Sequence, residues 1–378
     1  MRHRDGSTLH LAYCSNVHPA IDLTGVTGQL ERYAGRVRER LDVPVLGVGL
    51  WLAAPALASL DTAAADALAE RLRRLRLEVV TLNGFPYTAF QAPVVKLGVY
   101  SPNWAQDQRQ QYTTGLAWLL ARLLPDDVLE GSISTLPLGW RADWDERAHS
   151  RALAALADTA SELERIERET GKHIRLALEP EPGCTIETIT QACDVLTDLA
   201  PERIGVCLDA CHLAVQFESP ENALARLNTA GVPIVKAQIS SALRVNEPGS
   251  AAGQDVLRAH TEPRFMHQVR ERANGHIAGV DDLPEALAGA LPAEHEWRVH
   301  FHVPVHAGGE HTTQTELTDT LTALIGGPTP LTRHLEVETY TWSVLTNAPD
   351  NDDGLVTGLT NELAWTRDQL IALGAEIL

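Results

Sequence analysis

A chain of 378 residues, 44% apolar and 21% charged, is long enough for one large barrel or two ordinary domains and has the composition of a soluble protein. Its 50 acidic side chains outnumber 31 basic ones, and the formal charge of −19 repels phosphate backbones and anionic lipid, so no nucleic-acid partner is expected. Neither an apolar run of membrane-spanning length nor a secretory signal is read in it, and five cysteines make an odd number for a disulfide framework; the expectation is a reducing, cytoplasmic protein with no direct membrane insertion.

Strand-like and helix-like runs alternate almost from end to end, the pattern of an α/β protein with a parallel sheet. The first expected strand is 9–15, and 29–41 is the first helix, with Leu30, Tyr33, Val37 and Leu41 at helical spacing. Strands follow at 44–52, 77–83, 131–136, 174–179, 204–209 and 232–239, with helices at 55–75, 110–124, 146–170, 186–199 and 220–227 between them. Two later runs, 297–305 and 333–341, are both strand-like, one more than an eight-stranded barrel needs. We take 232–239 as strand seven and 333–341 as strand eight, which makes 297–305 a strand within an excursion; the reverse choice puts 297–305 at strand seven. Residues 240–296, rich in Gly, Ala and Pro, read as an insertion or lid over the mouth of a single domain spanning 1–378. Helices at 315–325 and 359–373 complete the chain, and Asp350-Asn351-Asp352-Asp353-Gly354 reads as a solvated acidic turn. The expected fold is an α/β (β/α)8 TIM barrel with an insertion between strands seven and eight.

Such a barrel gathers its chemistry at the strand C-termini, and acids and imidazoles recur there in this sequence. Ile174–Leu178 delivers Glu179, and the prolines of Glu179-Pro180-Glu181-Pro182 take the chain out of the sheet. Ile204–Leu208 delivers Asp209, with His212 three residues on; an N-cap would explain the aspartate but not the histidine. His300 and His302 share one side of an extended run, and His302 is the favoured ligand; Glu336 and Glu338 likewise share a face, with Glu338 nearer the mouth and Glu336 open to pairing with Arg333 or His334 lower down. Several carboxylates at one mouth repel one another unless a cation sits among them. His18 after strand one, Asn83 and Tyr87 after strand three, and Lys236 on strand seven are candidate substrate contacts; Lys236 could instead pair with Glu179 or face the helices. Neither a Gly-x-Gly-x-x-Gly fingerprint, a P-loop nor a Gly-x-Ser-x-Gly elbow is present.

The order Glu179, Asp209 with His212, a polar residue on strand seven and Glu338 resembles the xylose-isomerase-like TIM-barrel superfamily of sugar isomerases, ketose epimerases and endonuclease IV. Thr81–Tyr87, Gly131–Pro137 and His300–Val305 are similar to its EboE-like "metabolite traffic" branch, while Cys207–His212 is like endonuclease IV. The resemblance implies one to three divalent ions (Mn, Mg, Co or Zn) held by Glu179, Asp209, His212, Glu338 and either Gln238, where the epimerases have a histidine, or His302. It implies isomerisation or epimerisation of a polyhydroxylated small molecule, a polyol, sugar or cyclitol, with Glu179 and Glu338 as the catalytic carboxylates. The alternatives are an endonuclease IV-like phosphoester hydrolase and a non-catalytic metabolite carrier.

Overall fold

The computed structural model describes residues 1–378 and the side chains of all but residue 143. In chain order its strands are β1 (His10–Cys14), β2 (Leu46–Trp51), β3 (Leu77–Asn83), β4 (Glu130–Thr135), β5 (His173–Leu178), β6 (Ile204–Asp209) and β7 (Ile234–Ile239). Then come β8 (Ala242–Val245), β9 (Val269–Ala273), β10 (His276–Val280), β11 (Trp297–His302) and β12 (His334–Val337). Strands β1 to β7 and β12 close into a parallel barrel in the order β1-β12-β7-β6-β5-β4-β3-β2, so β12 is barrel strand eight. Helices cover the outside of this wall, which is why β2, β6 and β7 are buried at every position and read as near-continuous apolar runs.

The helices begin and end where local chemistry directs. Asp61, Asp145, Thr188 and Ser219 cap helix N-termini through their side chains, and Gly171 and Gly231 end two helices in the left-handed region. The acidic segment 350–354 is not a free turn. Asn351 caps the helix Asp352–Ala372, accepting from the Gly354 amide at 3.0 Å, and Asp352 and Asp353 lie in its first turn. Carboxylates are stabilised there by the helix dipole, and here they also pair with Arg32, Arg36 and Arg40. Among the described residues, no helix is long and apolar enough to cross a membrane.

The segment between β7 and β12 is more regular than expected. Strands β8 to β11 form an antiparallel sheet in the order β10-β9-β11-β8, with a small apolar core of its own that includes Leu243, Leu257, Val269, Trp297 and Phe301. The run near 297 is part of that sheet, antiparallel to β8 immediately after strand seven, so the excursion extends beyond residue 296. Asn274 and Gly275, both at positive φ (51° and 81°), make the two-residue turn between β9 and β10.

Candidate metal centre

Strands β5, β6, β7 and β12 are consecutive around the barrel, and each brings a polar side chain to the same end. Glu179 follows β5, Asp209 ends β6, Gln238 lies near the end of β7, and Glu338 follows β12. Ligand oxygens of Glu179, Asp209 and Glu338 lie within 4.8 Å of one another, all buried. Burial, reinforced by the neighbouring acids, pushes Glu179 well above the ordinary carboxylate range and Glu338 to about 8.

The hydrogen bonds around these groups are selective. Asp209 Oδ1 accepts from the His212 amide (2.9 Å) and from Ser240 Oγ (2.7 Å), so it does cap the short helix Ala210–Val215. Its Oδ2 has no hydrogen-bond partner among the described residues. Glu338 Oε1 accepts from Asn16 Nδ2 (2.7 Å) and Asn83 Nδ2 (3.0 Å), which fix its orientation. Glu179 Oε2, Asp209 Oδ2, both amide atoms of Gln238 and His302 Nε2 are buried with no partner among the described residues. Buried polar atoms are rarely left this way, and oxygen and imidazole donors of this kind suit a divalent cation. The residues present fit one.

One layer deeper, Lys236 and Glu336 are fully buried, with Nζ 3.1 Å from Glu336 Oε1 and 3.3 Å from Ser134 Oγ. Gly49 on β2 makes room for this pair: a Cβ there would stand 1.4 Å from Glu336 Oε2. Lys236 therefore belongs to the barrel floor rather than to a substrate or to Glu179. Glu336 pairs with it, and with neither Arg333 nor His334.

Above the carboxylates stand three imidazoles. His212 comes from the helix after β6, and His300 and His302 from β11 of the antiparallel sheet. Distinct triads draw on them: Asp209 with His212 and His302, Glu181 with His212 and His300, and Cys211 with His300 and His302, each within 4.8 Å. Glu181 is itself held by the Tyr100 hydroxyl at 2.7 Å, and burial raises it to about 8. Phe85, Phe90, Phe265 and Tyr340 wall the remaining space, a cavity of about 50 Å3. That is room for a few waters and not for a sugar. A wider cleft of about 710 Å3 opens at the opposite end of the barrel beside His10, Glu78 and Arg333, but no buried polar atom there lacks a partner among the described residues.

Two expected substrate contacts fall elsewhere. The chain turns in a 3-10 helix at Ser15–Val17, which sends Asn16 into the site and His18 back into the core, stacked on Tyr33 at 4.2 Å. Tyr87 packs edge-on against Tyr112 at 5.0 Å with the Arg109 guanidinium over its ring, outside the cavity. Asn83 is at the site as expected. Gln268 and Tyr100, which position His300 and Glu181, gave no signal in the sequence beyond their residue type.

A family model described as "Xylose isomerase-like TIM barrel" matches residues 45–277, more than half of the chain. The chain belongs to the xylose isomerase-like TIM barrel family. Among solved structures, D-psicose 3-epimerase with D-tagatose from Clostridium cellulolyticum H10 is 13% identical with a TM-score of 0.53, over 96% of this chain and 99% of that one. IOLI protein with a bound zinc atom is 12% identical with a TM-score of 0.53, over 97% and 100%. A xylose isomerase-like TIM barrel protein from Mycobacterium smegmatis in complex with magnesium is 12% identical with the same score, over 98% and 100%. Identities this low establish the shared fold and leave the reaction open. No curated protein matches the chain. Of the antiparallel sheet, β8 and β9 lie inside the matched segment, β10 crosses its end and β11 lies beyond it.

Proposed function

We propose that this chain is a metal-dependent isomerase or epimerase-type enzyme, moving a proton on a carbon beside a carbonyl of a sugar- or cyclitol-like molecule. The observation that carries this reading is the convergence of Glu179, Asp209, Gln238 and Glu338 from four consecutive strands, with ligand atoms left unpartnered. These four residues would hold a divalent ion, which when bound polarises substrate oxygens as a Lewis acid. Zinc and magnesium in two relatives of the same fold support a cation here, and the D-tagatose bound to a third supports a sugar-like substrate.

Glu179 and Glu338 stand at the two ends of this arc of strands, and each is suited to take a proton from carbon and return it. Asn16 and Asn83 hold one oxygen of Glu338 and leave the other to act. Phe90, Phe265 and Tyr340 exclude bulk water, which keeps the abstracted proton on the carboxylate. Similarity to the EboE-like branch favours a cyclitol-like substrate within this class.

The test is incubation with manganese or magnesium and D-tagatose, D-fructose or an inosose in deuterium oxide, read by NMR. Deuterium should enter at the carbon beside the carbonyl, and Glu179→Gln should slow this by about 100-fold or more. Full exchange in Glu179→Gln and Glu338→Gln proteins with unaltered metal content would overturn the assignment. Hydrolysis of bis(4-nitrophenyl) phosphate without carbon exchange would favour the phosphoester hydrolase, and metal-independent sugar binding without turnover the carrier.

A further inference from the structure

The barrel interior has a third layer, below the Lys236–Glu336 pair. His334 precedes Glu336 by two residues on β12, so the two share a face, and His10 lies beside it on β1 in the register that joins the strands. The two rings meet edge-on with centroids 5.6 Å apart. Both border the cleft of about 710 Å3 at this end of the barrel, a volume in the range of small-molecule sites.

Hydrogen bonds fix which nitrogen of His334 carries its proton. Ser132 Oγ donates its one hydrogen to Thr81 Oγ1 at 2.8 Å. It can therefore only accept from His334 Nδ1, 2.7 Å away, so the ring hydrogen sits on Nδ1. Burial, with His10, Lys236 and Arg333 nearby, holds the ring well below the ordinary imidazole range, which leaves Nε2 a bare lone pair. That nitrogen bonds no group among the described residues. His334 is only 6% exposed, and its opening is onto the cleft.

An acceptor so nearly out of water needs a donor. The cations beside it are engaged elsewhere: Arg333 pairs with Glu130, Arg367 with Asp368, and His10 gives its Nδ1 hydrogen to Glu78 at 3.0 Å. The walls above the ring are apolar. Leu11, Val43 and Leu363 line the cleft, and Val45, Leu129 and Ile377 stand along its rim, 49%, 61% and 60% exposed. Large apolar side chains left in water around a cleft with a polar base suit a molecule with an apolar body. The formal charge of −19 disfavours an anion.

We propose that this cleft is a second ligand site, which takes a small apolar molecule bearing one hydroxyl or amine group, donated to His334 Nε2, with its apolar body against Val45, Leu129 and Ile377. The Lys236 layer separates it from the carboxylate centre, so it stands whether or not the reaction assigned above is correct.

The experiment uses the full chain with 2-naphthol, and with its methyl ether as the same body lacking a donor, affinities being read by calorimetry. The naphthol should bind about 10-fold more tightly than the ether, the effect of one hydrogen bond. His334→Phe should abolish that difference, and Leu129→Asp should weaken both probes by about 10-fold. Glu179→Gln should leave both affinities unchanged, which places the binding away from the mouth and separates it from the proposed function. If His334→Phe does not fold, the wild type decides: the nitrogen resonance of His334 Nε2 should move upfield with the naphthol and stay in place with the ether. Equal affinities for the two probes, binding indifferent to Leu129→Asp, or binding lost in Glu179→Gln would overturn the proposal. So would a dimer in sedimentation that Leu129→Asp dissociates, because a second copy of the chain would then cover the cleft.

Discussion

A single residue separates Glu336 from Glu338 on the last barrel strand and its exit, and a single residue separates Lys236 from Gln238 on β7, yet the layers they form differ in kind. In the lower layer Glu336 meets a lysine 3.1 Å away. In the upper layer Glu338 meets Glu179 and Asp209, and the position above the lysine holds an amide with no partner among the described residues. A buried carboxylate persists when a cation compensates it. The lower layer carries its cation on the chain, and the upper layer leaves the place for one from solution. The first is scaffold and the second is site, although both are built from the same strands.

The harshest way to break this contrast is to remove the lysine. Lys236→Met strands Glu336 without a partner and should cost about 3–5 kcal/mol, seen as a lower urea midpoint. Glu338→Gln should instead hold or raise the midpoint of the ion-free protein, because it relieves repulsion, while abolishing tight cation binding. Equal destabilisation by the two changes would erase the distinction between the layers. Gly49→Ala comes next. Its Cβ would collide with the Glu336 carboxylate, and forcing the pair aside should cost about 1–3 kcal/mol by the same measurement, with the upper site still binding its ion.

A further expected effect is on pH. Burial raises Glu338 from 4.5 to about 8 in the ion-free protein, so its contribution to stability is present below pH 4.5 and is lost as pH rises through about 8. Cation uptake works in the opposite direction. It displaces protons and should tighten as pH rises over that window, which calorimetry in buffers of different ionisation heat would register as proton release. Binding that is indifferent to pH would place the ion elsewhere.

Much of the site is written in short stretches of sequence. Glu179, Asp209 and Glu338 each follow an apolar run, and a parallel barrel brings such positions together whatever their separation in the chain. Asn274-Gly275 likewise carries a recognisable hairpin turn, so part of the order in the insertion was available locally even though its composition suggested irregularity. The errors arise where a local rule stops applying. The chain leaves strand one in the 3-10 turn of Ser15–Val17, so Asn16 and not His18 reaches Glu338. Lysine on a buried strand signals a nearby acid, but only the barrel's closure selects Glu336 over Glu179.

By itself, the sequence determined the alternation of strands and helices, the strand-terminal acids and the caps, because each depends on neighbours within a few residues. The tertiary structure alone decided which buried charge is compensated and which polar atoms are left without partners. It also decided that imidazoles from β11 stand over carboxylates from the barrel. Those outcomes depend on which side chains meet across the barrel interior, where desolvation makes every unpaired group costly and no local pattern records the partner.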